Sequence, residues 1–192
     1  MSPTATVDAA LEPLAAAAAG LAARLGRVTV EVRVRGRGRA LGAGVVWHPD
    51  GLILTNAHVA AGDVTVVLAD GGARRARLVA RDVRRDLAAL VVDATDLPAA
   101  RIGDSGALRV GELVLAVGNP LGLVRALSAG LVHAVGPRAI HADLRLAPGN
   151  SGGPLADAQG HVVGLNAMIV GGLAVAVPSR EARQFVREQL RG

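Results

Sequence analysis

The strongest constraint on the fold is a change of hydrophobic period at residue 28. Val28, Val30, Val32 and Val34 alternate with Thr29, Glu31, Arg33 and Arg35, which is the period-two pattern of a strand with one face buried. Short apolar runs follow at 45–47, 52–55, 64–68, 77–80 and 87–92. Each is bounded by turn formers such as Pro49-Asp50-Gly51 and Asp70-Gly71-Gly72, so about six strands precede residue 95. The stretch 94–101, with Asp96 and Pro98, reads as a connector. A second set follows at 112–117, 130–135, 138–141, 155–156, 162–168 and 173–177. Two sets of closely spaced short strands imply a mainly β chain, built as two small barrels or as a sandwich.

The flanks read differently. The alanine-rich run 14–23 has the highest helix propensity, with Pro13 suited to a first turn and Gly26 to a stop. Residues 179–191 carry Ala182, Phe185, Val186 and Leu190 at helical spacing, with Ser179 as the expected N-cap. The predicted units are a helical appendage at 1–27, a first barrel at 28–95, a second at 96–178 and a closing helix at 179–192.

A core for such a chain must be aliphatic. Apolar types make up 51% of the 192 residues, yet there is one Trp, one Phe and no Tyr. The missing aromatics argue against a single-strand nucleic-acid binder, which needs stacking platforms. The net charge of +5 comes entirely from arginine over carboxylates, since the chain has no lysine. A basic nucleic-acid binder is therefore the third-ranked reading. Cysteine is absent, which excludes a thiol nucleophile and thiolate zinc. His48, His133, His141 and His161 lack paired ligand spacing, so neither a metal nor a cofactor is expected. The ten apolar residues 14–23 are too short to span a bilayer, and the first residues lack the basic start of an export signal. The expectations are no membrane insertion and a cytoplasmic location.

Three blocks carry chemistry: Thr55-Asn56-Ala57-His58-Val59, Asp86-Leu87-Ala88-Ala89-Leu90 and Pro148-Gly149-Asn150-Ser151-Gly152-Gly153-Pro154-Leu155. A serine hydroxyl needs a nearby imidazole to take its proton, and the imidazole needs a carboxylate to hold its tautomer. His58, Asp86 and Ser151 are the residue types for those roles. Glycines around the serine allow close backbone approach, so Gly149, Asn150 and Ser151 are the expected oxyanion-hole residues, with the N–H groups of Gly149 and Ser151 pointing at the oxyanion. Each block alone is ordinary turn sequence. Their joint presence is the signal.

In this order the blocks resemble those of the trypsin-like serine proteases, and within them the HtrA/Deg group. Gly103-Asp104-Ser105, Val117-Gly118-Asn119-Pro120-Leu121-Gly122-Leu123, Asp143 and Ala176-Val177-Pro178-Ser179 are also similar to that group's pattern. The resemblance runs from about Gly44 to Ser179. It implies two six-stranded antiparallel β-barrels with short terminal helices. His58 and Asp86 would come from the first barrel and Ser151 from the second, with the site in the cleft between them. It also implies a serine endopeptidase acting on exposed or unfolded polypeptide. The group's protease unit is usually followed by PDZ domains, and none is expected in the few residues after Ser179.

By family position the specificity pocket takes Arg145, Leu146, Asn166, Ala167, Met168, Ile169, Leu173 and Ala174. These residues favour a small or medium aliphatic side chain before the cut bond. Arg145 is the departure: turned inward it would select an acidic side chain, because an unpaired buried guanidinium is costly, and turned outward it would pack on the surface. Asn150 stands where zymogen-activated members carry an aspartate, so activation by cleavage is not expected. Control is expected instead from ordering of 118–125 and 136–141. The span 34–43 is too short for a long regulatory loop. The aromatic-free N-terminal segment gives a homo-oligomer no support. The alternating Arg33, Arg35, Arg37 and Arg39 and the cluster Arg81, Arg84, Arg85 read as solvated faces. A peptide-binding module that uses the same cleft without turnover is the second reading.

Overall fold

The computed structural model describes residues 3–35, 42–119 and 125–189. Helix α1 (Pro3–Val28) runs without a loop into β1 (Thr29–Val34), followed by β2 (Gly42–His48), β3 (Leu52–Thr55), β4 (Val64–Val67), β5 (Ala73–Asp82) and β6 (Leu87–Val92). These six close into an antiparallel barrel in the order β1-β2-β3-β6-β5-β4. After the connector come β7 (Leu113–Gly118), β8 (Ala126–Val135), β9 (Ile140–Asp143), β10 (Pro154–Asp157), β11 (Val162–Val170) and β12 (Leu173–Pro178). They form a second closed barrel in the order β10-β11-β12-β9-β8-β7, and helix α2 (Ser179–Gln189) follows. Two closed barrels, rather than a sandwich, satisfy every strand edge within each sheet.

Val30, Val32, Val66, Ile53 and Leu90 fill the first barrel, and Val114, Val132, Ile140, Leu155 and Val163 fill the second. A third cluster lies between the barrels and under both helices. It includes Leu25 of α1, Leu54 and Leu87 of the first barrel, Val117 and Leu165 of the second, and the fully buried Phe185 of α2. The chain's one phenylalanine thus sits where the barrels meet. It fills a joint that aliphatic side chains from two curved surfaces leave wide.

Three local expectations are corrected. Helix α1 is longer than the alanine run: Pro13 lies inside it, and Gly26 lies within its last turn rather than ending it. The helix ends because β1 begins, with Thr29 Oγ1 donating to the Leu25 carbonyl at 2.8 Å. Strand β8 begins before residue 130, so β7 and β8 pair from Leu113↔Leu131 to Gly118↔Ala126. Ser179 does not cap its own helix. Its hydroxyl donates to the Gly103 carbonyl at 2.9 Å and accepts the Ser105 N–H at 3.1 Å. Ser105 Oγ instead accepts the Arg180 N–H at 3.3 Å, so the connector caps α2 from outside.

Candidate active site

The half contributed by the first barrel rests on two turns. Beyond β3 the chain folds into a short turn in which Val59 and Ala60 both donate to the Asn56 carbonyl at 3.2 Å, leaving His58 exposed at its apex. Just before β6, the Asp82 carboxylate accepts the N–H groups of Arg84 and Arg85 at 2.9 and 3.1 Å. This Asx turn delivers Asp86 with φ 54°, a left-handed backbone that aspartate adopts more readily than most residues.

His58 Nδ1 then lies 2.8 Å from Asp86 Oδ2 and 3.0 Å from Oδ1. The His58 N–H donates to Oδ1 at 3.1 Å. Asn56 Nδ2 holds the Asp86 carbonyl at 3.0 Å, and the Arg81 guanidinium holds the Ala57 carbonyl at 3.0 Å. A carboxylate only accepts, so the contact at Nδ1 assigns the ring hydrogen there and leaves Nε2 with its lone pair.

The half contributed by the second barrel is the glycine-rich loop between β9 and β10. Gly152 N–H donates to the Asn166 carbonyl at 2.7 Å and Asn166 N–H to the Gly153 carbonyl at 2.9 Å, which ties the loop to β11. Ala43 N–H of β2 donates to the Ser151 carbonyl at 2.8 Å, which ties it across to the first barrel. Gly152 has φ 84°, and a Cβ there would strike the Ala43 carbonyl and Thr55 Oγ1. Only glycine fits this seam. Among the described residues, the N–H groups of Gly149 and Ser151 have no protein acceptor, whereas Asn150 N–H is taken by the Ala147 carbonyl at 3.0 Å. The Gly149 carbonyl accepts the Asn119 N–H at 3.1 Å, and Asn119 Oδ1 accepts the Arg125 N–H at 3.0 Å. The Ser151 hydroxyl donates to the Ala167 carbonyl at 2.9 Å.

Beside Ser151 opens a cavity of about 300 Å³, lined by Leu146, Ala147, Pro148, Met168 and Ile169 together with the Gly149–Ser151 backbone. Of the residues expected in the pocket, Leu146, Met168 and Ile169 line it. Ala167 supplies only the carbonyl that holds the serine. Arg145 is exposed and outside the cavity, since a guanidinium without a buried partner stays in water. Asn166 is buried in β11, with Nδ2 on the Pro154 carbonyl at 2.9 Å. Leu173 pairs with Val170 at the end of the β11–β12 hairpin, and Ala174 is buried in the second-barrel core. The hairpin explains these three placements. Gly171 and Gly172 have φ 58° and 85°, the two-residue turn that keeps β11 and β12 paired to their tips. No loop is left to fold their side chains into the cavity.

The arginine cluster before Asp86 is more structural than a solvated face. Arg81 holds the Ala57 carbonyl, and Arg85 Nη1 meets Glu188 Oε2 of α2 at 2.6 Å; of the three, Arg84 alone has a guanidinium bonded to neither backbone nor side chain among the described residues. Arg33 pairs with Glu31 at 2.8 Å and Arg35 is exposed, while Arg37 and Arg39 lie outside the described residues. So does most of the expected control segment 118–125. In the other such segment, Arg180 bonds the Gly136 and Pro137 carbonyls. The sequence reading missed Ala43 and gave no role to Thr55, Asn56 and Asn119, which it saw only as parts of longer blocks. The small-residue run Gly42-Ala43-Gly44 carries the one available signal, since glycine inside a strand marks a close backbone approach.

Comparisons with known proteins agree on the family. The profile described as trypsin-like peptidase domain matches residues 42–165. The chain is 40% identical over 169 residues to a probable periplasmic serine endoprotease DegP-like of Halomonas elongata, covering 80% of this chain and 35% of that protein. It is 39% identical over 171 residues to the putative serine protease HhoB of Synechocystis, covering 80% and 41%. The chain therefore spans about a third of the length of the first of these relatives. Among solved structures it resembles the HtrA-type protease AlgW with a tripeptide, with a TM-score of 0.83, 31% identity, and coverage of 90% of this chain and 63% of that one. The expectation of a cytoplasmic location is corrected. Similar relatives are named periplasmic, and that expectation rested only on a missing leader pattern. Among the described residues no helix is long and apolar enough to cross a membrane.

Proposed function

We propose, for a chain that belongs to the trypsin-like peptidase family and is an HtrA-type serine peptidase domain, that Ser151 is the nucleophile, His58 its base and Asp86 the orienting carboxylate. The observation that carries this reading is His58 Nδ1 held 2.8 Å from Asp86 Oδ2, in the barrel that Ser151 docks against through the Ala43 N–H. In the first step Ser151 Oγ leaves the Ala167 carbonyl, gives its proton to His58 Nε2 and bonds the substrate carbonyl carbon. The Gly149 and Ser151 N–H groups stabilise the oxyanion. His58 passes the proton to the leaving amine, and water then hydrolyses the acyl-enzyme by the reverse proton path.

The substrate is a peptide in extended form beside 166–169. Its side chain before the cut bond enters the cavity of about 300 Å³. Leu146, Met168 and Ile169 suit an aliphatic group there, and the exposed Arg145 argues against an acidic one.

Labelling with a fluorophosphonate probe tests the reading. The wild type is expected to label at Ser151 and to cleave casein, and Ser151→Ala and His58→Ala are each expected to lose both. A folded wild type that neither labels nor cleaves refutes it in favour of a cleft that only binds.

A further inference from the structure

The C-terminal half of α1 borders two cavities that the catalytic reading does not use. One, of about 380 Å³, lies between the helix, the connector and the β10–β11 turn, and is lined by Arg24, Arg27, Arg101 and Gln159 with no carboxylate. The other, of about 320 Å³, opens under the end of the first barrel and is lined mainly by Val30, Val46, Leu68 and Leu97, with Arg125 and Asp70 also on its wall. The two share Arg27 and Pro98. One guanidinium therefore stands between a basic cleft and an apolar one.

Among the described residues, none of Arg24, Arg27, Arg101 and Arg125 is ion-paired, whereas Arg33, Arg75, Arg85 and Arg109 each are. Asp70 is the one carboxylate on either lining, and its Oδ1 already accepts the Gly72 N–H at 2.7 Å. Unpaired guanidiniums at this density repel one another and favour an anion among them. Their planar donor sets match phosphate oxygens. An apolar cavity of this size holds about ten methylene-sized groups, each close to the roughly 30 Å³ share of a liquid water.

We propose that these adjoining cavities form one binding site for a single-chain anionic amphiphile. Its phosphate head sits among Arg24, Arg27 and Arg101, and its alkyl chain runs past Pro98 into the pocket of Val30, Val46, Leu68 and Leu97. The occupant is a monomeric phosphate amphiphile rather than a bilayer surface, because a recess of about 320 Å³ rimmed by guanidinium groups takes one chain and not a lipid face. The site is also linked to the proposed oxyanion loop through one intervening residue. Arg125, on the wall of the chain pocket, is bonded to Asn119, and Asn119 to Gly149.

Calorimetry on the full chain tests the site with decyl phosphate below its micelle concentration, and with octyl phosphate, inorganic phosphate, decyl glucoside and phosphatidylglycerol vesicles alongside. Decyl phosphate is expected to bind roughly tenfold tighter than octyl phosphate, as two more buried methylenes imply. Inorganic phosphate and decyl glucoside are each expected to bind at least a hundredfold more weakly. Arg27→Gln is expected to weaken decyl phosphate by about tenfold or more, and because Arg27 is exposed this variant is expected to fold. Equal affinity for inorganic phosphate, equal affinity for the glucoside, indifference to Arg27→Gln, or binding of vesicles without binding of the monomer each overturns the proposal. None of these outcomes depends on the assignment of Ser151, His58 and Asp86.

Discussion

The two halves of the candidate site are held in different ways. In the first barrel, His58 and Asp86 are already joined, and the backbone on both sides is pinned from within that same barrel: Asn56 on the Asp86 carbonyl, Arg81 on the Ala57 carbonyl and Asp82 on its own turn. In the second, the Ser151 loop is held by elements of both barrels, β2 from the first and β11 and Asn119 from the second, through backbone groups and glycine clearances. Its hydroxyl is bonded to the Ala167 carbonyl. An imidazole and a carboxylate can be fixed by a few polar contacts nearby. A backbone oxyanion site requires a whole loop to hold one shape, and that shape draws on both barrels.

Removing a group from each half is the most severe test of this contrast. Ser151→Ala and His58→Ala are each expected to lower kcat by about four to six orders of magnitude, with little change in stability, since neither side chain is core. Active-site labelling and thermal melting measured together check this. Gly152→Ala is expected to follow. It forces a Cβ onto the Ala43 carbonyl at a left-handed φ, so it should cost at least about 1–3 kcal/mol and most of the activity. A Gly152→Ala protein with normal melting and normal turnover would break the view that the second half depends on clearance.

The third test compares the two asparagines. Asn56→Ala removes a partly buried bond to the Asp86 carbonyl and is expected to cost about 1–2 kcal/mol, with kcat reduced more than KM is changed. Asn119→Ala keeps its own N–H bond to Gly149 and loses only the acceptor for Arg125, so a smaller fall in kcat and a stability change under about 1 kcal/mol are expected. Equal losses in the two variants would erase the distinction between halves. Kinetics and urea titration of both decide it.

The smallest effect concerns the strap from the Asp86 loop to α2. The Arg85 guanidinium, with help from Gln184, holds the Glu188 carboxyl below its ordinary range. A carboxyl depressed in the folded state stabilises the fold above its ordinary pKa and ceases to do so as the pH falls through the lowered value. Glu188→Gln should therefore melt slightly earlier than the wild type at neutral pH. The gap should shrink as the pH falls below the ordinary value of 4.5. A gap that is constant with pH would place the effect in packing rather than charge. Glu188 is exposed, so the difference should also fade in high salt.

Much of this molecule was legible in the chain itself. Alternation such as Val28 to Val34, interrupted by Asp-Gly and Pro-Asp turns, is a local property, because strand and turn preferences act over neighbouring residues. It located all twelve strands to within a few residues. The blocks around His58, Asp86 and Ser151 were visible for the same reason, since each chemical role needs its own short backbone setting. Local pattern did not reach the length of α1, the capping of α2 by Ser105, or the lining of the cavity. Pro13 sits within a helix whose last turns are held by packing of Leu21 and Leu25, and Ser105 reaches Arg180 across the chain. Arg145, Asn166, Leu173 and Ala174 were expected in a pocket by position. The two-residue turn at Gly171 and Gly172 keeps β11 and β12 paired and so places Asn166, Leu173 and Ala174 elsewhere, while Arg145, outside that hairpin, stays in water. The sequence by itself thus determined the strands, their turns and the three blocks proposed to carry the chemistry, all of which follow from interactions between near neighbours. Only the tertiary structure decided which carbonyl the Ser151 hydroxyl meets, which N–H groups stay uncommitted and which side chains face the cavity. Those depend on how two closed barrels and two helices press together, and that packing brings into contact residues that no short stretch of chain contains.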